Sequence, residues 1–234
     1  MKTTIQLFML LSFSLSTEAA YILCEGDFYS DDATLWIEYE SFEISETLDN
    51  PIGNIGQSIT VVDNTLYIIL NGTSQIRVYD INESDGSINF TQSIDTNLSG
   101  PRELLVIGDY GYLSEWNTQS ISVINMNTYE FISSIPIDGL PDMMVTDGSL
   151  IYVSIALNSD WSDGNTVLAI DPENNSVVNS YNVGIGPGQM VLYDNIIYIA
   201  RIFYDEYWTQ YTGTTSINLA TGEVNIQDYG VNSL

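Results

Sequence analysis

The chain predicts an all-β protein, a β-propeller of four-stranded antiparallel blades with about five blades present and the ring left incomplete, or open, at the C-terminus. Three observations predict it. Tyr67, Tyr112, Tyr152 and Tyr198 recur at separations of 45, 40 and 46 positions, a period that suits four-stranded blades better than two-helix repeats. Each tyrosine follows a Gly or Pro by 11 positions, namely Gly56, Pro101, Pro141 and Pro187. Beyond the N-terminal run, no segment sustains apolar spacing of three and four residues, so almost no helix is expected.

Each repeat divides into four strands. "SITVVDNT", "ELLVIGDYG", "MMVTDGSL" and "QMVLYDNI" each supply a short apolar strand A and a tight turn. Strand B starts at the tyrosine, a loop of variable length follows, and strand C is expected to end at Asp80, Asn125, Asp171 or Asn218. Those Asp and Asn side chains can bond nearby backbone N–H groups and hold the reversal before strand D. Strand D is read in "INFTQSI", "FISSIPI", "VVNSYNV" and "VNIQDYG". An earlier copy, "YILCEGDFYSDDATLWIEYE", aligns Tyr21 with the strand B tyrosines and Glu40 with the strand C acids, and "SFEISETL" supplies its strand D. It lacks a strand A. The expected divisions are a leader at 1–19 and blades at about 21–52, 53–97, 98–138, 139–183 and 184–229. Residues 230–234 would begin a further strand. A truncated product of this kind is expected to expose β edges and to associate.

The opening "MKTTIQLFMLLSFSLSTEA" has one Lys, an apolar run and small residues at its end. It reads as a secretory signal cleaved after Ala19, too short for a membrane span. The mature chain is therefore expected outside the cytoplasm: periplasmic, cell-surface or extracellular, with no transmembrane segment. Cys24, the lone cysteine, cannot form an internal disulfide. The bulky Leu23 before it argues against lipidation, and its apolar neighbours suggest a buried strand position.

Charge narrows the partners. The 31 acidic residues face 4 basic ones and no His, for a formal net charge of −27. Such a surface repels nucleic acid and anionic membranes and favours cationic ligands or plain solubility. Without His the commonest general base and transition-metal ligand are missing, and neither a Gly-rich phosphate loop nor a G-x-S-x-G turn is present.

The words "YILCEGDFYS", "IGNIGQSITVVDNTLYIILN", "PRELLVIGDYGYLSEWNTQSISVINMNT" and "IPIDGLPDMMV" resemble the YncE-like, surface-layer-type β-propeller proteins of exported bacterial origin. The resemblance runs over nearly the whole mature chain. It implies a seven-bladed or similar propeller, export, and usually no assigned reaction. This chain departs from the pattern in having fewer blades and longer loops in its last two units.

In a propeller the B-to-C loops share one face with the connections from strand D to the next strand A. From tyrosine to strand C acid the distance is 13 positions in the Tyr67 and Tyr112 units but 19 and 20 in the Tyr152 and Tyr198 units. Trp116, Trp161 and Trp208 fall in these loops at comparable places, beside Glu115, Asp160 and Asp205. Aromatic rings next to carboxylates suit sugars, cationic ligands or partner side chains; equally, each Trp can fold back over its own loop. Gln57, Arg102, Asp142 and Gln189, which follow the Gly/Pro markers, should ring the channel mouth, where Arg102 would receive a ligand carboxylate or pair with Glu103 or another acid. Asp160, Asp163 and Asn165 resemble part of a calcium loop without the EF-hand spacing, so no cofactor is assigned and calcium stays a minor alternative. The residues therefore suggest an exported, non-catalytic propeller that binds a surface polymer, carbohydrate or protein through this face, with Trp116, Trp161, Trp208, Glu115, Asp205 and Arg102 as contacts. The alternative is a carboxylate-dependent lyase or hydrolase acting on a carbohydrate or lactone, with Glu115, Asp160, Asp205 and Glu206 supplying acid and base.

Overall fold

A computed structural model of the chain describes residues 19–39, 44–46 and 50–231. Residues 1–18 of the expected signal sequence, Glu40 and the terminal residues 232–234 lie outside the described residues. Every regular element among the described residues is a strand, and the antiparallel sheets match the expected propeller class. The chain divides into two compact units, Met1–Asn97 and Leu98–Leu234.

In the first unit β1 (Ala19–Cys24), β2 (Thr34–Tyr39) and β3 (Ile44–Glu46) form a three-stranded sheet in sequence order. A four-stranded sheet follows, made of β4 (Gly56–Val62), β5 (Thr65–Leu70), β6 (Gln75–Ile81) and β7 (Ile88–Asp95). Leu35, Ile52, Leu66, Ile68, Leu70 and Tyr79 build the core of this unit, with Tyr21 and Leu23 packed against it. Burial along β1 alternates with the strand period of two. Tyr21 and Leu23 take the inner face, which leaves Cys24 exposed, not buried as its apolar neighbours suggested.

The second unit holds three four-stranded sheets. They are β8 (Pro101–Ile107) to β11 (Glu130–Pro136) through β9 (Tyr110–Glu115) and β10 (Ser120–Asn125); β12 (Leu140–Thr146) to β15 (Ser176–Asn182) through β13 (Ile151–Leu157) and β14 (Asp163–Asp171); and β16 (Pro187–Tyr193) to β19 (Val224–Val231) through β17 (Ile196–Tyr204) and β18 (Gln210–Asn218). The three strands A, β8, β12 and β16, lie next to one another. One core joins the first two sheets of this unit through Tyr112, Ile121, Val123, Ile135, Met144 and Val153. Another joins the last two through Tyr152, Val167, Ala169, Ile197 and Ile217. Because β19 continues through Val231, with Gly230 opposite Thr212, Gly230 and Val231 extend the last strand and do not open a new one.

In each four-stranded sheet, the reversal from strand C to strand D is held by an Asn or Asp that accepts from backbone N–H groups of the turn. Asn125 Oδ1 accepts from the N–H of Asn127 and Thr128, Asp171 from Glu173 N, and Asn218 from Ala220 and Thr221 N. In the β6–β7 turn, however, the acceptor is Asn82, bonded by Ser84 N at 3.1 Å. Asp80, expected in that role, lies inside β6 opposite Asn89.

Candidate functional site

The Gly/Pro markers shape the start of strand A. Proline cannot donate to the ladder, and register slips in each marked strand: between Pro101 and Leu104, between Pro141 and Met144, and between Pro187 and Met190. A bulge re-aims the side chains beside it. Here it brings Arg102, Asp142 and Gln189 into the lining of one open cavity of about 370 Å³, with Trp116, Leu157 and Ile202. Gln57 lies in the first unit.

Arg102 and Trp116 form the centre of this site. Arg102 Nε donates to Asp142 Oδ1 at 2.9 Å, and its guanidinium carbon sits 4.0 Å from the Trp116 ring centre. That ring meets Trp161 edge-to-face at 6.1 Å. The backbone beneath is tied by Ser114, whose hydroxyl accepts from Glu103 N and donates to Asp142 O at 2.6 Å. Trp116 is half-buried, and its indole N–H is buried without a partner.

The three loop tryptophans divide into two classes. Trp161 and Trp208 each stand fourth in five-residue loops, 158–162 and 205–209, which are closed by the same pair of backbone bonds. Asn158 N and Asp205 N donate to Ser162 O and Thr209 O, and each Trp N–H donates to the first loop residue's carbonyl. Both tryptophans are left-handed, at φ 68° and 62°, a conformation that costs a bulky residue about 1–2 kcal/mol. Trp116 instead opens a four-residue loop whose left-handed position is held by Gln119. The comparable placement expected from spacing therefore holds for Trp161 and Trp208 but not for Trp116. Exposure follows the same division: Trp161 is 61% exposed and Trp208 83%. Trp208 lies 6.2 Å from Tyr204 and beside exposed Tyr207, at the tip of a hairpin paired as far as Tyr204 and Gln210. The extra residues in this unit thus lengthen a hairpin more than they add a loop.

The acids proposed for chemistry serve the hairpins. Glu115 is only 2% exposed, and its Oε2 accepts from the hydroxyls of Thr118, Ser120 and Ser122 at 2.9, 3.3 and 2.8 Å. Asp205 accepts from Tyr207 N, Thr209 N and Tyr211 Oη, and the Thr209 backbone bond leads in holding its pKa below the ordinary carboxylate value. Asp160 is likewise lowered, chiefly by the Ser162 hydroxyl. Asn165 Oδ1 accepts from the Thr166 hydroxyl. No group of three or more His, Cys, Asp or Glu placed to hold a metal ion occurs among the described residues.

All three arginines are drawn inward. Arg77 stacks 4.5 Å from the Phe90 ring centre. Arg201, 2% exposed, bonds Ile185 O, Gln227 O and Asp228. Only Arg102 brings positive charge to the cavity described above.

No family model matches the chain, and no curated protein does. Solved structures are similar in fold. Hydrazine synthase of Kuenenia stuttgartiensis aligns with a TM-score of 0.67 at 15% identity, covering 84% of this chain and 60% of that one. A candidate 6-phosphogluconolactonase from Bacteroides fragilis gives 0.64 at 13% identity over 89% and 66%. Another from Bacteroides uniformis gives 0.67 at 12% over 92% and 70%. The chain thus spans about 60% to 70% of the length of these structures. At such identities the likeness shows the fold alone.

Proposed function

We propose that the chain is an exported, non-catalytic propeller of the YncE-like, surface-layer type, which binds a carbohydrate or protein polymer at the cell surface through its B-to-C loop face. The observation that carries this reading is the arrangement of Arg102 on Trp116, with Trp161 edge-on, at the mouth of the 370 Å³ cavity. A flat ring, an aromatic edge and paired polar groups suit a sugar or an extended chain, which stacks on the indole and bonds at its rim. The unpartnered Trp116 N–H and the strained, exposed Trp161 and Trp208 support it further.

The second reading, a carboxylate-dependent lyase or hydrolase on a carbohydrate or lactone, draws on the candidate lactonases among the fold neighbours. Two observations weigh against it. Glu115 is enclosed by three hydroxyls, and Asp205 holds two backbone donors of its own loop and the Tyr211 hydroxyl. A phosphorylated sugar would also meet a molecule of net charge −27 whose one arginine in the cavity is already paired with Asp142.

A glycan array and a broad lactonase and glycosidase screen on the purified protein separate the two. Retention on the array, lost in Trp116→Ala and unaccompanied by turnover, is expected. Turnover that disappears in Glu115→Gln or Asp205→Asn would replace this reading with the enzymatic one.

A further inference from the structure

A second cavity opens at the opposite end of the strands, among the A-to-B and C-to-D turns of the second unit. It has a volume of about 430 Å³, within the range of small-molecule sites. Ile107 and Tyr110 line it from the β8–β9 turn, Val123 and Ile132 from the neighbouring strands, and Pro172 and Glu173 from the β14–β15 turn. Tyr110 and Ile132 stand exposed at its rim. Tyr112, only 3% exposed, also lines it and forms the inner end.

Tyr112 differs from its counterpart one blade on. Tyr152 donates its hydroxyl to Asp147 Oδ2 at 3.0 Å, five residues earlier in the A-to-B turn. Five residues before Tyr112 stands Ile107, whose side chain offers no acceptor, so Tyr112 lacks the bond that Tyr152 makes, and it is among the residues that line the cavity. Burial comes first, and the electrostatic influence of Tyr110 and Asp171 follows, in raising the Tyr112 pKa above the ordinary phenol value. At the rim Glu173 is exposed and Asp171 stands two residues away in the same turn; their carboxylates oppose anions and attract cations, as does the whole molecule.

We propose that this cavity binds a small amphipathic amine: an apolar or aromatic body against Ile107, Val123, Ile132 and Pro172, a hydroxyl or similar group at Tyr112, and an ammonium at Glu173. The walls supply most of the contact, the Tyr110 ring adds a cation–π surface, and Tyr112 selects ligands with a polar inner end. The site is independent of the loop face and of any polymer bound there.

Tyramine is a probe that carries all three features, and its relatives each remove one. Amide and side-chain chemical-shift mapping of the whole protein should show tyramine shifting Ile107, Tyr110, Tyr112 and Ser133. Phenethylamine, which lacks the hydroxyl, should bind about fivefold more weakly, and 4-hydroxyphenylpropionate, with the charge reversed, should shift nothing. Tyr112→Phe removes no internal hydrogen bond to the A-to-B turn; it should fold, weaken tyramine about fivefold and leave phenethylamine unchanged. Glu173→Gln, in an exposed turn, should weaken both amines about threefold. Shifts confined to the Arg102 face, an absence of shifts with tyramine in the millimolar range, or equal affinity of the two variants and the parent protein would overturn the proposal.

Discussion

The Arg102 guanidinium lies 4.0 Å from the centre of the Trp116 ring. A cation held on an indole face and paired through its Nε with Asp142 is worth about 1–2 kcal/mol when partly desolvated. Arg102→Met keeps the aliphatic stem over the ring but removes both interactions. It should lower the urea midpoint by an amount equivalent to about 1–2 kcal/mol and shift the Trp116 fluorescence. An unchanged midpoint would show that the stack contributes nothing to stability.

The Glu115 clasp makes a separate prediction. With three hydroxyls converging on one buried oxygen, Glu115→Ala leaves those donors unpaired and should cost about 3 kcal/mol or more. Glu115→Gln retains an acceptor and should cost about 1–2 kcal/mol. Equilibrium denaturation of the two variants checks the order, and a neutral Glu115→Ala would return this acid to the pool of catalytic candidates.

The left-handed tryptophans invite a test by glycine. Glycine adopts φ near +60° without penalty while alanine does not. Trp208→Gly should therefore be more stable than Trp208→Ala by about 1 kcal/mol, whereas at Trp116, outside that conformation, glycine should be the less stable of the two. Thermal melts of the four variants would reveal whether the backbone or the ring decides the outcome.

Much of this was legible in the sequence, and the limits have physical causes. Period and marker residues sufficed for the strands because a tyrosine, a turn and a proline report backbone geometry directly. The grouping of Arg102, Asp142 and Gln189 followed from the same regularity. What the sequence concealed depended on single residues of loop length: Trp116 and Trp161 touch although they occupy different loop positions. Asp80 misled because β6 runs to Ile81, which hands the turn to Asn82. Glu115 looked available because spacing cannot reveal that Ser120 and Ser122 of the next strand face it. Cys24 was assigned by the company it keeps, where the alternation of β1 decides its side.

The turn residues separate cleanly by mutation. Asn82→Ala removes the acceptor used by Ser84 N and Oγ and should cost about 1 kcal/mol, while Asp80→Ala should change stability by less than about 0.5 kcal/mol. The reverse order, measured by denaturant titration, would restore Asp80 to the turn.

Asp147 and Tyr152 give the pH dependence a direction. Burial pushes the Asp147 carboxyl up, but the N–H groups of Leu150 and Ser149 and the Tyr152 hydroxyl outweigh it and leave the pKa below 3.8. A carboxylate depressed on folding contributes stability above its unfolded pKa and loses it as pH falls through the folded one. The melting-temperature advantage over Asp147→Asn should therefore be constant from neutral pH down to about pH 5 and be lost progressively as pH falls below the ordinary carboxylate range. Tyr152 is raised, chiefly by burial and then by its bond to Asp147, so stability should fall as pH rises past about 10, where the unfolded phenol ionises. A Tyr152→Phe variant should lose less stability over that alkaline range than the parent protein, with Tyr112, also raised by burial, still contributing.

In the four-stranded sheets each C-to-D reversal is fastened by an oxygen from its own blade, at Asn82, Asn125, Asp171 or Asn218. Within such a repeat, nothing needed for that reversal has to be borrowed from a neighbour. A duplication or loss of one 40–46-residue unit would thus carry its fastening with it and would have to be accommodated only where blade meets blade, as in other linear repeat arrays. Gain or loss of a whole blade would therefore leave the reversals of the remaining blades intact.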